Sequence, residues 1–184
     1  MNQLPTFTTP EPGEVLIVVW PKAHDALSGA IRFLTHGYGD HAAFRRPSGN
    51  IAEAFYPRVR ERGWRQGERR QVEFYRIEGT GPIEWFALEA WITNELCNPP
   101  EYSIRDLFRY AFNKPPLPGR ACFCSQWVLR GLKSCIPADK MPLVRLEWPC
   151  WASPRDLRIS PRLIQQRRDT VPSQCNVNLQ SLRK

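Results

Sequence analysis

The sequence predicts an α+β domain in which an antiparallel sheet packs against helices. Short β-branched and apolar segments fill the first half of the chain, and segments with helical spacing dominate the second. Eighteen prolines in 184 residues favour many short elements over a helical bundle. The order of strand, helix, strands and helices is typical of α+β proteins. We expect an irregular lead-in over residues 1–13, one domain over 14–163 and a polar tail over 164–184.

The first half of the domain carries the predicted sheet. Residues 14–20 (EVLIVVW) are apolar on both faces, as in a buried strand. Asp25 is a predicted N-cap for a helix with apolar residues at helical spacing, which Gly37 and its neighbours end. Residues 41–45 and 51–55 are predicted to form two strands joined by a turn. A basic loop over 58–70 and a third strand over 71–77 are predicted to follow.

The second half carries the predicted helices. Pro82 suits a first helical position, and the helix after it has an apolar stripe predicted to be buried: Ile83, Phe86, Ala87, Ala90 and Trp91. Ser103 and Asp106 predict a capping box for a short second helix. After a proline-rich loop, Val128, Leu129 and Leu132 share one face of a third helix that begins near Cys124.

Cys124 is the candidate nucleophile because it is expected to begin that helix. Unpaired N–H groups and the helix dipole at such a position stabilise a thiolate and can bind an oxyanion. Three alternatives stay open. The first is that Cys124 is an ordinary buried thiol, and the second is that Cys122 is the nucleophile. The third is that the Cys-x-Cys pair binds zinc, although no second ligand pair has suitable spacing.

A cysteine nucleophile needs a base, and the chain has three histidines, His24, His36 and His41. His41 begins the predicted strand HAAF, a rigid element from which an imidazole can be aimed, so it is the candidate base. Glu53 lies in the following strand, on the face shared with Ile51 and Phe55. A carboxylate in that position is a candidate for orienting the histidine ring.

These residues together resemble the circularly permuted, NlpC-type papain-like cysteine hydrolases, including the YiiX-like and lecithin retinol acyltransferase-like groups. The similarity runs from about Pro12 to Leu163. It includes a set of short motifs in the family's order: Pro12-Gly13-Glu14 before VLIVVW, IRFLT followed by Tyr38, Asp40-His41-Ala42-Ala43, Glu53-Ala54, Phe123-Cys124-Ser125-Gln126-Trp127, and the Ser153–Leu157 turn. Asp40 replaces the usual serine before the histidine, and Gln126 replaces the usual glutamate after Cys-Ser.

The resemblance implies a permuted papain-like fold and a cysteine peptidase or amidase with Cys124, His41 and Glu53 as catalytic residues. It implies no metal and no organic cofactor. The expected substrate is an amide bond of peptidoglycan or another anionic cell-envelope polymer, cleaved by a phage lysis or tail component or by a delivered effector. Two alternatives remain: a lipid or ester acyl-hydrolase with exposed Trp64 and Trp148, and a non-catalytic virion or assembly subunit that docks through its C-terminal tail.

Composition limits the partners. The net charge of +8 favours anionic surfaces, and the basic clusters over 58–70 and 155–168 are expected to be solvated faces. No zinc-finger spacing or long basic helix is present, which disfavours nucleic acid. No signal peptide or transmembrane segment is visible, so we expect synthesis in the cytoplasm, six reduced cysteines, and delivery to the envelope or incorporation in a virion.

Overall fold

The chain folds as an α+β structure. The computed structural model describes residues 11–20, 41–66, 68, 72–112, 114–141 and 163–166. Its strands are β1 (Leu16–Trp20), β2 (His41–Arg45), β3 (Ile51–Phe55), β4 (Arg58–Arg62), β5 (Glu73–Ile77) and β6 (Leu163–Gln166). Its helices are α1 (Pro82–Cys97), α2 (Ile104–Ala111) and α3 (Cys124–Cys135), followed by a 3₁₀ turn, Ala138–Lys140. The predicted α+β class with an antiparallel sheet is therefore confirmed.

The six strands form one sheet in the order β4-β3-β2-β1-β5-β6, and all neighbours are antiparallel. The apolar strand β1 lies inside the sheet, as its residues buried on both faces require. Its register with β2 places Trp20 opposite His41, and the β3–β4 register places Glu53 opposite Arg60. The candidate base and the candidate acid thus lie on neighbouring strands.

Helices cover one face of this sheet. Helices α1 and α3 pack against each other, and α3 also packs against β2 and β3. The core between them includes sheet residues and helix residues: Ile17, Val19, Ala42, Phe44, Ala52 and Ala54 from the sheet, and Leu88, Ile92, Trp127, Val128 and Leu132 from the helices. A second buried cluster lies on the opposite face and includes Leu16, Val18, Trp20, Ala43, Ile51 and Phe74.

The buried stripe predicted for α1 is largely wrong, although its last member, Trp91, packs partly buried against the core. Ile83 and Phe86 are 83% and 77% exposed, whereas Trp85, Leu88 and Ile92 are buried. The segment IEWFALEAWI is apolar on nearly every side, so helical spacing allows two competing stripes. The structure buries the stripe of Trp85, Leu88 and Ile92, of which Leu88 and Ile92 belong to the core.

The starts of the two shorter helices follow the predicted signals. Ser103 caps α2, and its Oγ accepts a hydrogen bond from the Asp106 backbone N–H at 3.0 Å. The Asp106 carboxylate bonds instead to the Leu117 N–H at 2.9 Å, so the capping box is not reciprocal. Helix α3 begins at Cys124, as predicted, with Phe123 as its extended N-cap residue.

Three other boundaries differ from the predictions. The basic loop predicted over 58–70 begins as strand β4, because Val59 is buried in the core while Arg60 and Arg62 bond to the Glu53 carboxylate. The predicted strand 71–77 starts at Glu73, and it pairs with β1 rather than with the β2–β3 hairpin. The boundary predicted between residues 163 and 164 falls inside β6, which pairs with β5.

Some predicted elements lie outside the described residues. These are the helix after Asp25, the turn at Ser153–Leu157 and the tail beyond Gln166.

Candidate active site

Cys124 is the first residue of α3 and is buried. Its side chain belongs to a small cluster with Leu107 and Phe123, against which Tyr102 and Tyr110 pack. The first turn of a helix presents backbone N–H groups that have no partner within the helix, and these groups favour negative charge. The Cys124 side chain therefore lies at a helix N-terminus, where the backbone favours negative charge.

His41 is the first residue of β2, and its side chain is 16% exposed. The imidazole packs between two aromatic rings, with centroid distances of 4.9 Å to Trp20 and 6.0 Å to Phe55. Its Nε2 atom lies 2.9 Å from Glu53 Oε2, and its other hydrogen-bonding partner is the Cys124 side chain. Because Nε2 bonds to Glu53, the remaining nitrogen, Nδ1, is left for the thiol.

Glu53 is fully buried in β3, on the side of the sheet that carries His41. A buried carboxylate needs several hydrogen bonds and a compensating charge. Glu53 receives them from His41 on β2 and from Arg60 and Arg62 on β4. The structure thus brings Cys124, His41 and Glu53 together in one hydrogen-bonded row.

The row has a strong electrostatic bias. Burial alone would lower the pKa of His41, but hydrogen bonds and negative charge from Cys124 and Glu53 outweigh it and raise that pKa from 6.5 to about 10. Burial opposes ionisation of Glu53, yet its bonds to His41 and Arg62 hold its pKa well below the usual range. The arrangement therefore favours a protonated imidazole beside an ionised Glu53, with the Cys124 side chain as the other neighbour of the ring.

Cys122 is less suited to be the nucleophile. It precedes α3, it is fully buried, and burial raises the pKa of its thiol to about 12. The backbone of Cys122 instead bonds to residues on the segment before α2, since its carbonyl accepts from the Ser103 N–H at 2.9 Å. The other two histidines, His24 and His36, lie outside the described residues.

Sequence reasoning missed the arginines of the site. The cluster over 58–70 was expected to be a solvated face, but Arg62 is only 18% exposed and bonds to Glu53 and Glu68. The pattern Arg58-Val59-Arg60-Glu61-Arg62 alternates as a strand does, and this was the available signal. Trp64 was predicted to be exposed and is half-buried instead: it packs on Phe74 and its Nε1 donates to the Gly49 carbonyl at 2.7 Å. Trp148 lies outside the described residues.

A cleft of about 290 Å³ adjoins the Cys124 cluster. Tyr102 is shared between them, since it lines the cleft and packs against the cluster that contains Cys124. Burial and the neighbouring Cys124 and Cys122 raise the pKa of the Tyr102 phenol, so it stays protonated and able to donate a hydrogen bond. The volume is close to the lower end of typical ligand sites.

Two further observations concern the described part of the chain alone. Within it, no group of three or more His, Cys, Asp or Glu side chains has the arrangement of a metal site. No helix there is long and apolar enough to cross a membrane.

No protein-family model matches this chain, and none of the curated proteins is significantly similar to it.

Proposed function

We propose that the protein is a cysteine hydrolase that cleaves amide bonds through a thioacyl intermediate. The observation that carries the proposal is the row Cys124–His41–Glu53, with the thiol at the first position of α3 and the acid fully buried. Each member has the chemical type and the neighbour that nucleophilic catalysis by cysteine requires.

In the proposed mechanism, Nδ1 of His41 takes the proton of the Cys124 thiol. The thiolate attacks the carbonyl carbon, and N–H groups of the first turn of α3, including that of Cys124, bind the developing oxyanion. The imidazolium then gives its proton to the leaving nitrogen, and the C–N bond breaks. Water, activated by the neutral imidazole, releases the acyl group and restores the thiol. Glu53 bonds to Nε2 throughout and fixes the orientation of the ring.

The proposal includes a permuted papain-like fold of the NlpC type. In its favour, the strand that carries the base precedes the helix that carries the nucleophile, and this helix packs on the antiparallel sheet. The resemblance of the short motifs around His41, Glu53 and Cys124 supports the same assignment.

We propose a peptide or amide bond of peptidoglycan as the substrate, by analogy with that family. The net charge of +8 fits an anionic polymer of the cell envelope. Delivery to the envelope, as a phage component or an effector, belongs to the same proposal.

Cys124→Ala should abolish hydrolysis of purified sacculi while leaving the fold intact, because the substitution removes only the attacking sulfur. The measurement is release of soluble peptide fragments, with circular dichroism to verify folding. Cys97→Ala is the matched control, since Cys97 is an exposed thiol outside the site, and it should keep full activity. Hydrolysis by the Cys124→Ala protein would refute the proposal.

An acyl ester of a lipid is the second candidate substrate. Helix α2 exposes Ile104 and Phe108, and Phe112 follows at its end, so three apolar side chains at helical spacing face solvent. Arg105 is exposed on the same helix, which suits an anionic membrane surface. Release of fatty acid from anionic vesicles, together with no hydrolysis of purified sacculi, would favour this candidate over the first.

A further inference from the structure

The Glu53 carboxylate is bound from β4 as well as from His41. Its Oε1 atom accepts from Arg60 Nε at 3.0 Å, Arg60 Nη2 at 2.8 Å and Arg62 Nε at 2.7 Å. Its Oε2 atom, which bonds to His41, also accepts from Arg62 Nη2 at 3.3 Å. Both oxygens of the buried Glu53 carboxylate thus accept hydrogen bonds from neighbouring side chains.

The two arginines are not equivalent. Arg62 contacts both oxygens of Glu53 in a forked arrangement, whereas Arg60 contacts Oε1 only. Arg62 is 18% exposed, and Arg60 is 35% exposed with its guanidinium over the Phe55 ring. Of the two, Arg62 alone fixes the oxygen that faces the imidazole.

Arg62 is itself held from behind. Glu68 accepts from Arg62 Nη1 at 2.8 Å and from Nη2 at 2.7 Å, and it also accepts the Arg65 backbone N–H at 2.9 Å. The charges therefore alternate along one row, Glu68–Arg62–Glu53–His41–Cys124. An alternating row of paired groups in a partly buried site is more rigid than any single pair, because each member has little freedom to rotate.

We propose that Arg62 is a positioning residue of the thiol–imidazole site. It keeps Glu53 ionised and holds Oε2 against His41 Nε2, so that Nδ1 stays directed at Cys124. The inference rests on the proposed function. The groups that face the row are Glu53 and Cys124 around His41, Arg60 and Arg62 around Glu53, Glu68 behind Arg62, and Tyr102 beside Cys124.

The first test is the rate of Cys124 alkylation by iodoacetamide at pH 7, read by peptide mass spectrometry. We expect Arg62→Gln to slow it about tenfold and Arg62→Lys about threefold, since lysine keeps the charge but loses the fork. Arg46→Gln is the matched control. Arg46 joins two carboxylates, Glu61 and Glu89, on the opposite face of the sheet, toward α1, and its loss should leave the rate unchanged. Equal rates in Arg62→Gln and the unaltered protein would overturn the inference.

The second test follows the His41 ring by NMR between pH 3 and pH 7 and does not depend on hydrolysis. Without Arg62, the pKa of Glu53 should rise toward the ordinary value of about 4.3. The chemical shifts of the His41 ring, which bonds to Glu53, should then change as Glu53 is protonated. Arg46→Gln should show no such step, which separates positioning from a general loss of stability. An Arg62→Gln profile without the step would also overturn the inference.

The two tests separate the proposals. If Cys124 of the unaltered protein labels no faster than exposed Cys97, the proposed hydrolase function fails, and the NMR titration still decides whether Arg62 holds Glu53. If Cys124 labels fast and Arg62→Gln changes neither readout, only the inference about Arg62 fails.

Discussion

Glu53 shows how one buried carboxylate is kept charged inside a sheet. Removal of a carboxylate from water costs several kcal/mol unless hydrogen bonds and opposite charge replace the water. Arg60 and Arg62 on β4 replace that water on one side of Glu53, and the imidazole of His41 on β2 replaces it on the other. Because Arg62 is also neutralised by Glu68, the acid is satisfied without an excess of positive charge that would repel an imidazolium.

The pKa of His41 predicts a pH dependence of stability. The folded value of about 10 exceeds the value of 6.5 for an ordinary histidine, so the folded state binds this proton more tightly. The stabilisation is complete below about pH 6.5 and is lost as pH rises through about 10. We expect the difference in unfolding free energy between the unaltered protein and His41→Ala to shrink over that interval.

Urea denaturation of both proteins at pH 6, 8 and 10 measures this difference. A difference that stays constant or grows with pH would contradict the ion-paired state of the site.

At the scale of elements, the position of Cys124 depends on how closely α3 approaches its neighbours. Gly131 lies on α3 where a Cβ would come within 2.7 Å of the Trp91 ring and 3.2 Å of the Phe44 ring. Trp91 packs in turn on Trp127, with ring centroids 5.3 Å apart. A side chain at position 131 therefore cannot be added without displacing the Trp91 ring or moving α3 away from its neighbours.

Gly131→Ala should destabilise the protein by about 1–2 kcal/mol, because overpacking of a core exceeds the gain in helix propensity. Thermal unfolding measures the effect. Gly63→Ala is the matched control, since a Cβ there meets nothing within 4 Å, and it should leave Tm nearly unchanged. Equal Tm values for the two variants would show that α3 tolerates the shift.

The sequence was informative where turn and cap signals were local. The β2–β3 hairpin, the Ser103 cap and the start of α3 at Cys124 were all predicted, and with them the elements that carry the three candidate residues. The buried face of α1 was not, because apolar residues surround that helix. The roles of Arg60 and Arg62 were missed because a charge run has the same composition whether it meets water or a buried acid. That distinction depends on strand pairing, which brings Glu53 opposite Arg60.

At the scale of the whole molecule, the sheet extends beyond the predicted end of the domain. Strand β6 pairs with β5 along four residue pairs, from Phe74 with Gln166 to Ile77 with Leu163. Without β6, the outer edge of β5 would present unpaired backbone groups.

A chain that ends after Arg162 should therefore be less stable and more prone to aggregate than one that ends after Asp169. Tm and light scattering during heating measure the two effects. A chain ending after Arg162 that matches the longer one would show that β5 does not need β6.

The separation of the site along the chain has a consequence for biosynthesis. His41 and Glu53 lie on the two strands of the β2–β3 hairpin, and Cys124 follows only after β4, β5, α1 and α2. Strand β1 likewise pairs with β5, which follows more than fifty residues later, so native contacts of the sheet span long stretches of sequence. On the ribosome, the candidate base and acid emerge long before the candidate nucleophile. The candidate site can therefore be completed only after α3 has been synthesised and has docked on the sheet.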